Sequence, residues 1–252
     1  MRALLLIALL VAMTLPAQAE RLVSGVSRPE VLITSSFDGE TLTLFGNIEP
    51  EAGASGNAVS GPYHVVIVVT GPLQDRVARR KSSFFGIWLN SEQVLFKGFP
   101  SYFHIISDTR LTNITSEAAL AELMISPARQ AQAAATGNWY SGLYFGQEVV
   151  RLMNEAGRFG INEQGVQFRS NTFYSAQVVL QSDVPPGPYL AHTYLFKDGA
   201  LVAERTEGFS VRKSGFERFL GLAAVEQPLL YGLCAVLLAL FTGWIGGVVF
   251  RR

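Results

Sequence analysis

A run of 22 residues without a charged side chain, residues 229–250, constrains this chain more than any other feature. At about 1.5 Å per residue, a helix of this length reaches roughly 33 Å, which is enough to cross the hydrocarbon core of a bilayer. Pro228 precedes the run, and Tyr231 and Trp244 lie near its ends, as aromatic residues do at membrane interfaces. The sequence therefore predicts a transmembrane helix over 229–250 rather than a buried core helix.

The other end of the chain has the three parts of a secretory signal. Arg2 supplies a positive charge, residues 3–15 are apolar, and an Ala-x-Ala pattern ends at Ala19. The apolar core of 3–15 is too short to span a bilayer, which disfavours an uncleaved signal anchor. We therefore expect residues 1–19 to be a cleavable signal peptide, with cleavage before Glu20.

Charges next to the span predict its orientation. Arg251 and Arg252 directly follow the apolar run, and positive flanks prefer the cytoplasmic side of a membrane. Together with the export signal, they predict a cytoplasmic tail at 251–252 and an exported body at 20–228.

Composition narrows the chemistry of this body. The formal net charge of the chain is zero, so it has no basic footprint for nucleic acid. The single cysteine, Cys234, falls inside the predicted span. The exported body therefore contains neither disulfides nor thiol chemistry, and an ordinary apolar core has to stabilise it.

Short apolar runs separated by glycine and proline turns predict a β-rich body. Asp-Gly dipeptides tolerate positive φ and predict two tight hairpins, at Asp38-Gly39 between strands 31–35 and 41–45, and at Asp198-Gly199 between strands 189–197 and 200–206. Further strands are predicted at 63–70, 84–89, 93–96, 103–106, 174–180 and 209–212. This spacing is typical of an immunoglobulin-like β-sandwich, although the Cys–Trp–Cys core of antibody domains is absent.

A helical insertion at about 115–157 interrupts the strands. Thr115 or Ser116 can cap a first helix, Ser126-Pro127 can begin a second, and residues 146–156 carry a third apolar pattern. The predicted fold class is thus α+β: a mainly antiparallel immunoglobulin-like sandwich at 20–214 with a helical insertion, plus one C-terminal transmembrane helix. A short interfacial helix is expected at 215–227.

The motifs of common enzymes are absent, and three histidines remain as candidates for chemistry. His64, His104 and His192 each fall in a predicted strand without metal-ligand spacing, so we interpret them as partly buried strand residues. Their convergence would be required for the alternative, a membrane-tethered hydrolase. The sequence predicts no enzyme activity, no cofactor and no metal.

Two other patterns could support binding. The densest basic cluster consists of Arg76, Arg79, Arg80 and Lys81, which could bind an anion or simply form a solvated strand edge. Inside the predicted span, small residues recur every four positions, at Ala235, Ala239, Gly243 and Gly247. In lipid such a stripe allows another helix to approach closely, so these four residues are the candidate helix interface.

Four short segments occur in order along the chain: TLTLFG at 41–46, FGIWLN at 85–90, VPPGPY at 184–189 and PLLYG at 228–232. With a single terminal span, this combination resembles an uncharacterised alphaproteobacterial transmembrane protein family over essentially the whole mature chain. With the export signal and the terminal arginines, the predicted location is the inner (plasma) membrane, with a periplasmic N-terminal domain and a cytoplasmic C-terminus. The resemblance transfers no catalytic residue, and it implies a sulfite-exporter-like permease as a membrane partner.

The leading functional hypothesis is an accessory or scaffold subunit of a membrane complex, such as a transporter, without nucleic-acid contacts. The alternative is an envelope receptor that binds an anionic ligand through the basic cluster. The sequence does not identify the ligand or the physiological process.

Overall fold

A computed structural model describes residues 20–34, 37–50 and 61–249. The predicted signal peptide, most of the glycine-rich segment at 53–61 and the terminal arginines lie outside the described residues. The strands are β1 Arg21–Val26, β2 Glu30–Ile33, β3 Gly39–Glu49, β4 His64–Thr70, β5 Leu73–Phe84, β6 Ile87–Pro100, β7 Phe103–Ser107, β8 Phe159–Asn162, β9 Val166–Phe168, β10 Phe173–Gln181, β11 Gly187–Lys197 and β12 Ala200–Lys213. The helices are α1 Leu111–Ile114, α2 Glu117–Glu122, α3 Pro127–Ala134, α4 Trp139–Glu155, α5 Phe216–Glu226 and α6 Pro228–Val249.

Two sheets enclose the first of two apolar cores. One sheet has the order β1-β3-β10-β9, and the other has the order β2-β12-β11-β4-β7-β8. Alternating residues of β3 and β10 face inward, such as Leu42 and Val178, and meet Ile67 and Leu195 of the six-stranded sheet. The protein is therefore an α+β protein in which two sheets share one core, as the sequence predicts at this coarser level.

The six-stranded sheet is covered on its other face as well. Val66 and Val68 of β4 alternate with the first-core residues and belong to a second core. Phe96 and Phe99 of β6 and helical residues such as Phe145 close this second core. The continuous β-branched run in β4 is explained by burial on both faces, because neither face of the strand reaches water.

Side-chain caps define the helical layer. Ser116 Oγ accepts a hydrogen bond from Ala119 N–H at 3.2 Å, so the predicted cap begins α2. Asn138 caps α4 in the same way, through Tyr140 N–H at 3.0 Å. α4 therefore begins at Trp139, seven residues before residue 146, where the sequence pattern predicts the start of this helix.

One predicted hairpin is confirmed and the other is wrong. β11 and β12 pair in antiparallel register around Asp198-Gly199, both at positive φ, as a tight turn requires. By contrast, β2 does not pair with β3. It runs parallel to β12 in the six-stranded sheet, whereas β3 pairs with β1 and β10 in the other sheet. Asp38-Gly39 therefore lies where the chain crosses between sheets and does not close a hairpin.

The predicted strand at 84–89 is interrupted by a turn at Phe85 and Gly86, and its other residues lie in two successive strands. Phe85 and Gly86 have positive φ and connect β5 to β6 in a long two-stranded ribbon. The residues predicted as one strand are thus the tip of an exposed hairpin.

The chain ends in two helices. α5 occupies 216–226, and α6 follows it as a continuous helix of 22 residues. The stretch Pro228–Val248 is the one helix of the described residues that is long and apolar enough to cross a membrane, and none of it is buried against the rest of the protein.

Candidate functional site

The basic cluster lines a cleft between the β5–β6 ribbon and helix α4. Arg76, Arg79, Arg80 and Lys81 all lie in β5, and the cleft beside them has a volume of about 730 Å³. Its other wall is the face of α4 that carries Tyr144, Phe145, Glu148, Val149, Leu152 and Met153. The sequence-predicted anion candidates therefore share one concave surface, together with an apolar wall that the sequence did not reveal.

Charge in the cleft is strongly one-sided. Arg158, which follows α4, adds a fifth cation to the lining, and Glu148 is its single carboxylate. Glu148 is already paired with Arg151, at 2.9 Å. The cleft consequently presents a positive potential over an apolar wall, which suits an anion that also carries an apolar part.

Arg76 has donor capacity that the described chain does not use. Its Nε is buried and has no hydrogen-bond partner among residues 20–34, 37–50 and 61–249. Its Nη2 lies 3.5 Å from Gln74 Oε1, at the limit of a hydrogen bond. Burial, followed by the positive charge of Arg158, lowers the pKa of Arg76. A guanidinium with a buried, unpaired N–H gains from an anion that supplies the missing acceptor.

Two of the other cations, Arg80 and Arg158, are partly occupied. Arg80 Nη2 is 3.1 Å from Glu92 Oε1, and its guanidinium carbon lies 5.9 Å from the ring centre of Tyr144. Arg158 Nη2 is 3.0 Å from Asp183 Oδ2. These contacts engage Arg80 and Arg158, whereas Arg76 keeps a buried Nε without an acceptor.

The three histidines do not form one site. His104 stacks on Tyr102 of the first core, at 4.4 Å between ring centres, and its Nε2 lies 3.2 Å from the carbonyl oxygen of Gly157. His64 and His192 lie on the opposite face of the same sheet, in neighbouring strands four register positions apart, or roughly 13 Å. His64 Nδ1 contacts Asp108 Oδ2 at 2.7 Å, and His192 Nδ1 contacts Thr206 Oγ1 at 2.9 Å.

The hydrolase alternative requires the three histidines to converge, and the structure keeps them apart. Within the described ranges, no three His, Cys, Asp or Glu side chains are grouped as metal ligands. The absence of enzyme activity stays a prediction.

Helix α6 displays the small-residue stripe without covering it. Ala235, Ala239, Gly243 and Gly247 lie within an arc of about 120°, because consecutive helical residues are separated by about 100°. Gly232 and Gly246 fall in the same arc, which extends the small surface beyond the four predicted positions. A Cβ built on any of these four glycines meets no atom within 4 Å, and none of them has positive φ.

A third surface, which sequence reasoning missed, is the tip of the β5–β6 ribbon. Its five large apolar side chains are exposed: Phe84, Phe85, Ile87, Trp88 and Leu89. Phe85 is 92% exposed and Trp88 is 69% exposed, whereas the sequence pattern predicted only a strand here. The Phe-Gly dipeptide in the middle of the run was the available signal for a turn.

An α+β body followed by an uncovered apolar helix defines the class: a membrane protein with one candidate span, near the C-terminus, in the part of the chain that the structure describes. A family model described as putative transmembrane protein (Alph_Pro_TM) matches residues 21–252. The chain belongs to this family, which confirms the identification made from the four short segments. A comparison with curated proteins finds no match.

Proposed function

We propose that this protein is a membrane-anchored accessory subunit, whose exported domain is held at an inner membrane while α6 docks on a helix of another membrane protein. The main support for the proposal is that α6 contains several glycines that its own fold does not require. Glycine destabilises a helix by about 1 kcal/mol relative to alanine, and here neither backbone conformation nor packing within the described chain requires it. Close approach of a second helix supplies the missing reason.

This proposal is tested by enlarging the small surface of α6. In Gly243→Leu/Gly247→Leu, the added side chains separate the helices, so we expect less partner to be recovered after crosslinking in native membranes. Cys234→Leu/Val248→Leu is the matched control, because both residues lie outside the arc of small residues. Equal recovery of the partner with both variants would contradict the proposal. Mass spectrometry of the crosslinked product then identifies the partner and shows whether it is the sulfite-exporter-like permease that the family resemblance implies.

Anion binding is a second candidate function, favoured by the unpartnered Nε of Arg76. In this role the cleft holds an anionic head group against Arg76 and an apolar chain against Phe145, Leu152 and Met153. A bound anion would supply the acceptor that Arg76 lacks and would reduce repulsion among the five cations. The ligand class is therefore an amphiphilic anion.

Dodecyl phosphate is a suitable probe, with dodecanol as the uncharged comparison. We expect the full-length protein in neutral detergent to bind dodecyl phosphate in a salt-dependent manner. Arg76→Gln should weaken binding about ten-fold or more, because a hydrogen bond to a charged group contributes about 1.5–3 kcal/mol. Arg129→Gln, an exposed arginine outside the cleft, is the control. Full affinity in Arg76→Gln, or binding that ignores salt, would exclude this role.

We further propose that the two-sheet body is immunoglobulin-like. Taken in chain order, β1-β3-β10-β9 corresponds to strands A-B-E-D of that fold, and β12-β11-β4 corresponds to G-F-C. Support also comes from Tyr189 near the start of β11, whose hydroxyl donates to the carbonyl oxygen of Pro185 at 2.7 Å. This arrangement resembles the tyrosine corner of immunoglobulin-like domains. An experimental structure with a different strand order would contradict the assignment.

A further inference from the structure

The tip of the β5–β6 ribbon has no cover within the described chain, although it carries five large apolar side chains in succession. Phe84 and Ile87 form the last pair of the ribbon, and Phe85 projects from the turn beyond it. The exposed part of the ribbon extends well behind the tip. In β6 every residue from Ile87 onward is exposed until Val94, which is the first buried one. Seven exposed residues of β6, at about 3.3 Å each, place the tip roughly 23 Å beyond that point.

Apolar side chains surround the tip instead of forming one docking face. In the ribbon register, Phe84 is opposite Ile87, and Leu89 is opposite Ser82, so these residues share one face. Trp88 is opposite Ser83 and lies on the other face. A protein pocket covers one face of a ribbon, whereas a lipid phase can surround both.

Behind the tip, the side chains change in layers. Ser82 and Ser83 are level with Leu89 and Trp88 of the apolar tip, and the cations Lys81, Arg80 and Arg79 come next, opposite Asn90, Glu92 and Gln93. Lys81 is three register positions from the tip pair, or about 10 Å. This spacing matches the depth of about 5–10 Å at which amphipathic elements enter the boundary between acyl chains and head groups.

Two properties make entry into lipid physically acceptable. The two strands pair with each other up to Phe84 and Ile87, so the backbone groups that face the partner strand are satisfied. The outward-facing groups of this two-stranded ribbon stay within reach of water when the tip lies at the shallow depth of the interface. In residues 76–93 there are four cations and one carboxylate, Glu92, which is paired with Arg80. The net positive charge complements an anionic head-group layer.

We propose that the tip of the β5–β6 ribbon inserts into the interface of an anionic bilayer, while Arg79, Arg80 and Lys81 contact the lipid phosphates. Because α6 anchors the chain in a bilayer, the lipid interface is always close to the ribbon, at a high effective concentration. The protein then has two membrane attachments, the span and the ribbon tip. This inference does not depend on the helix partner or on ligand binding in the cleft.

Trp88 serves as the reporter, in the full-length chain with Trp139→Phe and Trp244→Phe. The protein is reconstituted into vesicles of phosphatidylcholine with phosphatidylglycerol, and into phosphatidylcholine alone. With the anionic lipid we expect a blue-shifted emission, strong quenching by lipids brominated near the head of the acyl chain, and protection from acrylamide. Trp88 that stays open to acrylamide and is not quenched by brominated lipids would overturn the proposal. Trp88 that is protected from brominated lipids as well as from acrylamide would overturn the proposal too, because copies of the protein would then cover the tip.

Charge variants test the electrostatic part. Arg79→Gln/Arg80→Gln/Lys81→Gln should reduce lipid quenching of Trp88 at least two-fold in anionic vesicles. The control Arg21→Gln/Arg110→Gln/Arg129→Gln changes the net charge equally at exposed positions elsewhere and should have no effect. Equal loss with both sets would reject a local role for the β5 cations. Arg76→Gln separates the two ideas, since it should weaken anion binding in the cleft and leave Trp88 in lipid.

A second measurement covers the case in which the tryptophan substitutions disturb folding. Cys234 is the only cysteine, so Cys234→Ala/Phe85→Cys carries a single environment-sensitive label at the tip. The label should report an apolar environment in anionic vesicles and water in detergent-free nanodiscs of neutral lipid. A label that reports water in both preparations would overturn the proposal.

Discussion

At the residue scale, Tyr189 connects sequence to fold most directly. Its ring is completely buried between Tyr102 and Phe209, and its hydroxyl bonds the carbonyl oxygen of Pro185 just before β11. Burial, above all, raises the pKa of this hydroxyl, so it remains a donor at any ordinary pH. The hydrogen bond fixes the turn through which the chain enters β11.

Tyr189→Phe should lower the free energy of unfolding by about 1 kcal/mol, because the ring is kept but a buried carbonyl loses its donor. Thermal or chemical unfolding in neutral detergent measures the change. Tyr144→Phe removes a hydroxyl from a half-exposed ring and should change stability by much less. Equal effects of both substitutions would show that the Pro185 contact is not stabilising.

Burial lowers the pKa of His104, which the carbonyl oxygen of Gly157 only partly offsets. Above the unfolded-state pKa of about 6.5, the ring is neutral in both states. As the pH falls below this value, the unfolded chain takes up the proton first, so the contribution of His104 to stability is lost. His104→Gln should therefore give a shallower loss of stability between about pH 7 and about pH 5. An unchanged slope would contradict the assignment, and the fully exposed Arg129→Gln serves as the comparison.

At the element scale, two glycines set the distance between α3 and α4. A Cβ at Gly142 would lie 3.0 Å from Ala135 Cβ, and one at Gly146 would lie 3.3 Å from Ala131 Cβ. The helices can pack closely only because these positions carry small side chains. Since α4 also forms the apolar wall of the cleft, this packing sets the shape of the cleft.

Gly146→Leu should destabilise the protein by about 1–3 kcal/mol, because overpacking forces the two helices apart. Gly221→Leu in α5 makes a similar gain in helix propensity at a site where no atom lies within 4 Å of the added Cβ. Comparing the unfolding free energies of the two variants isolates the packing cost. A neutral Gly146→Leu would show that α3 can move without loss.

At the scale of the whole molecule, the orientation proposed for the chain can be measured through its cysteine content. In a Cys234→Ala background, Ala118→Cys on the exposed surface of α2 should react with a membrane-impermeant maleimide added to cells with a permeabilised outer membrane. A cysteine appended after Arg252 should react only after the inner membrane is opened. The opposite labelling pattern would place the body in the cytoplasm and refute the proposed topology.

Local patterns were sufficient for some elements, for physical reasons. The uncharged run that became α6, the cap of α2 at Ser116 and the turn at Asp198-Gly199 depend on neighbours within a few residues. The prediction of a hairpin at Asp38-Gly39 is wrong because the partner of β2 is β12, which lies about 180 residues away along the chain. Likewise, the run at 84–89 has the composition of a core strand, and only the long ribbon carries it away from both cores.

The sequence by itself determined the span, the sole cysteine inside it, the basic cluster and the family, because each depends on composition or short-range order. The tertiary structure alone decided that the cluster faces α4 across a cleft, that Arg76 retains a buried unused donor, and that an aromatic hairpin tip projects from the body. It also separated the three histidines. These features depend on which distant segments pair and which side chains are left uncovered, and the free energy of long-range packing decides both.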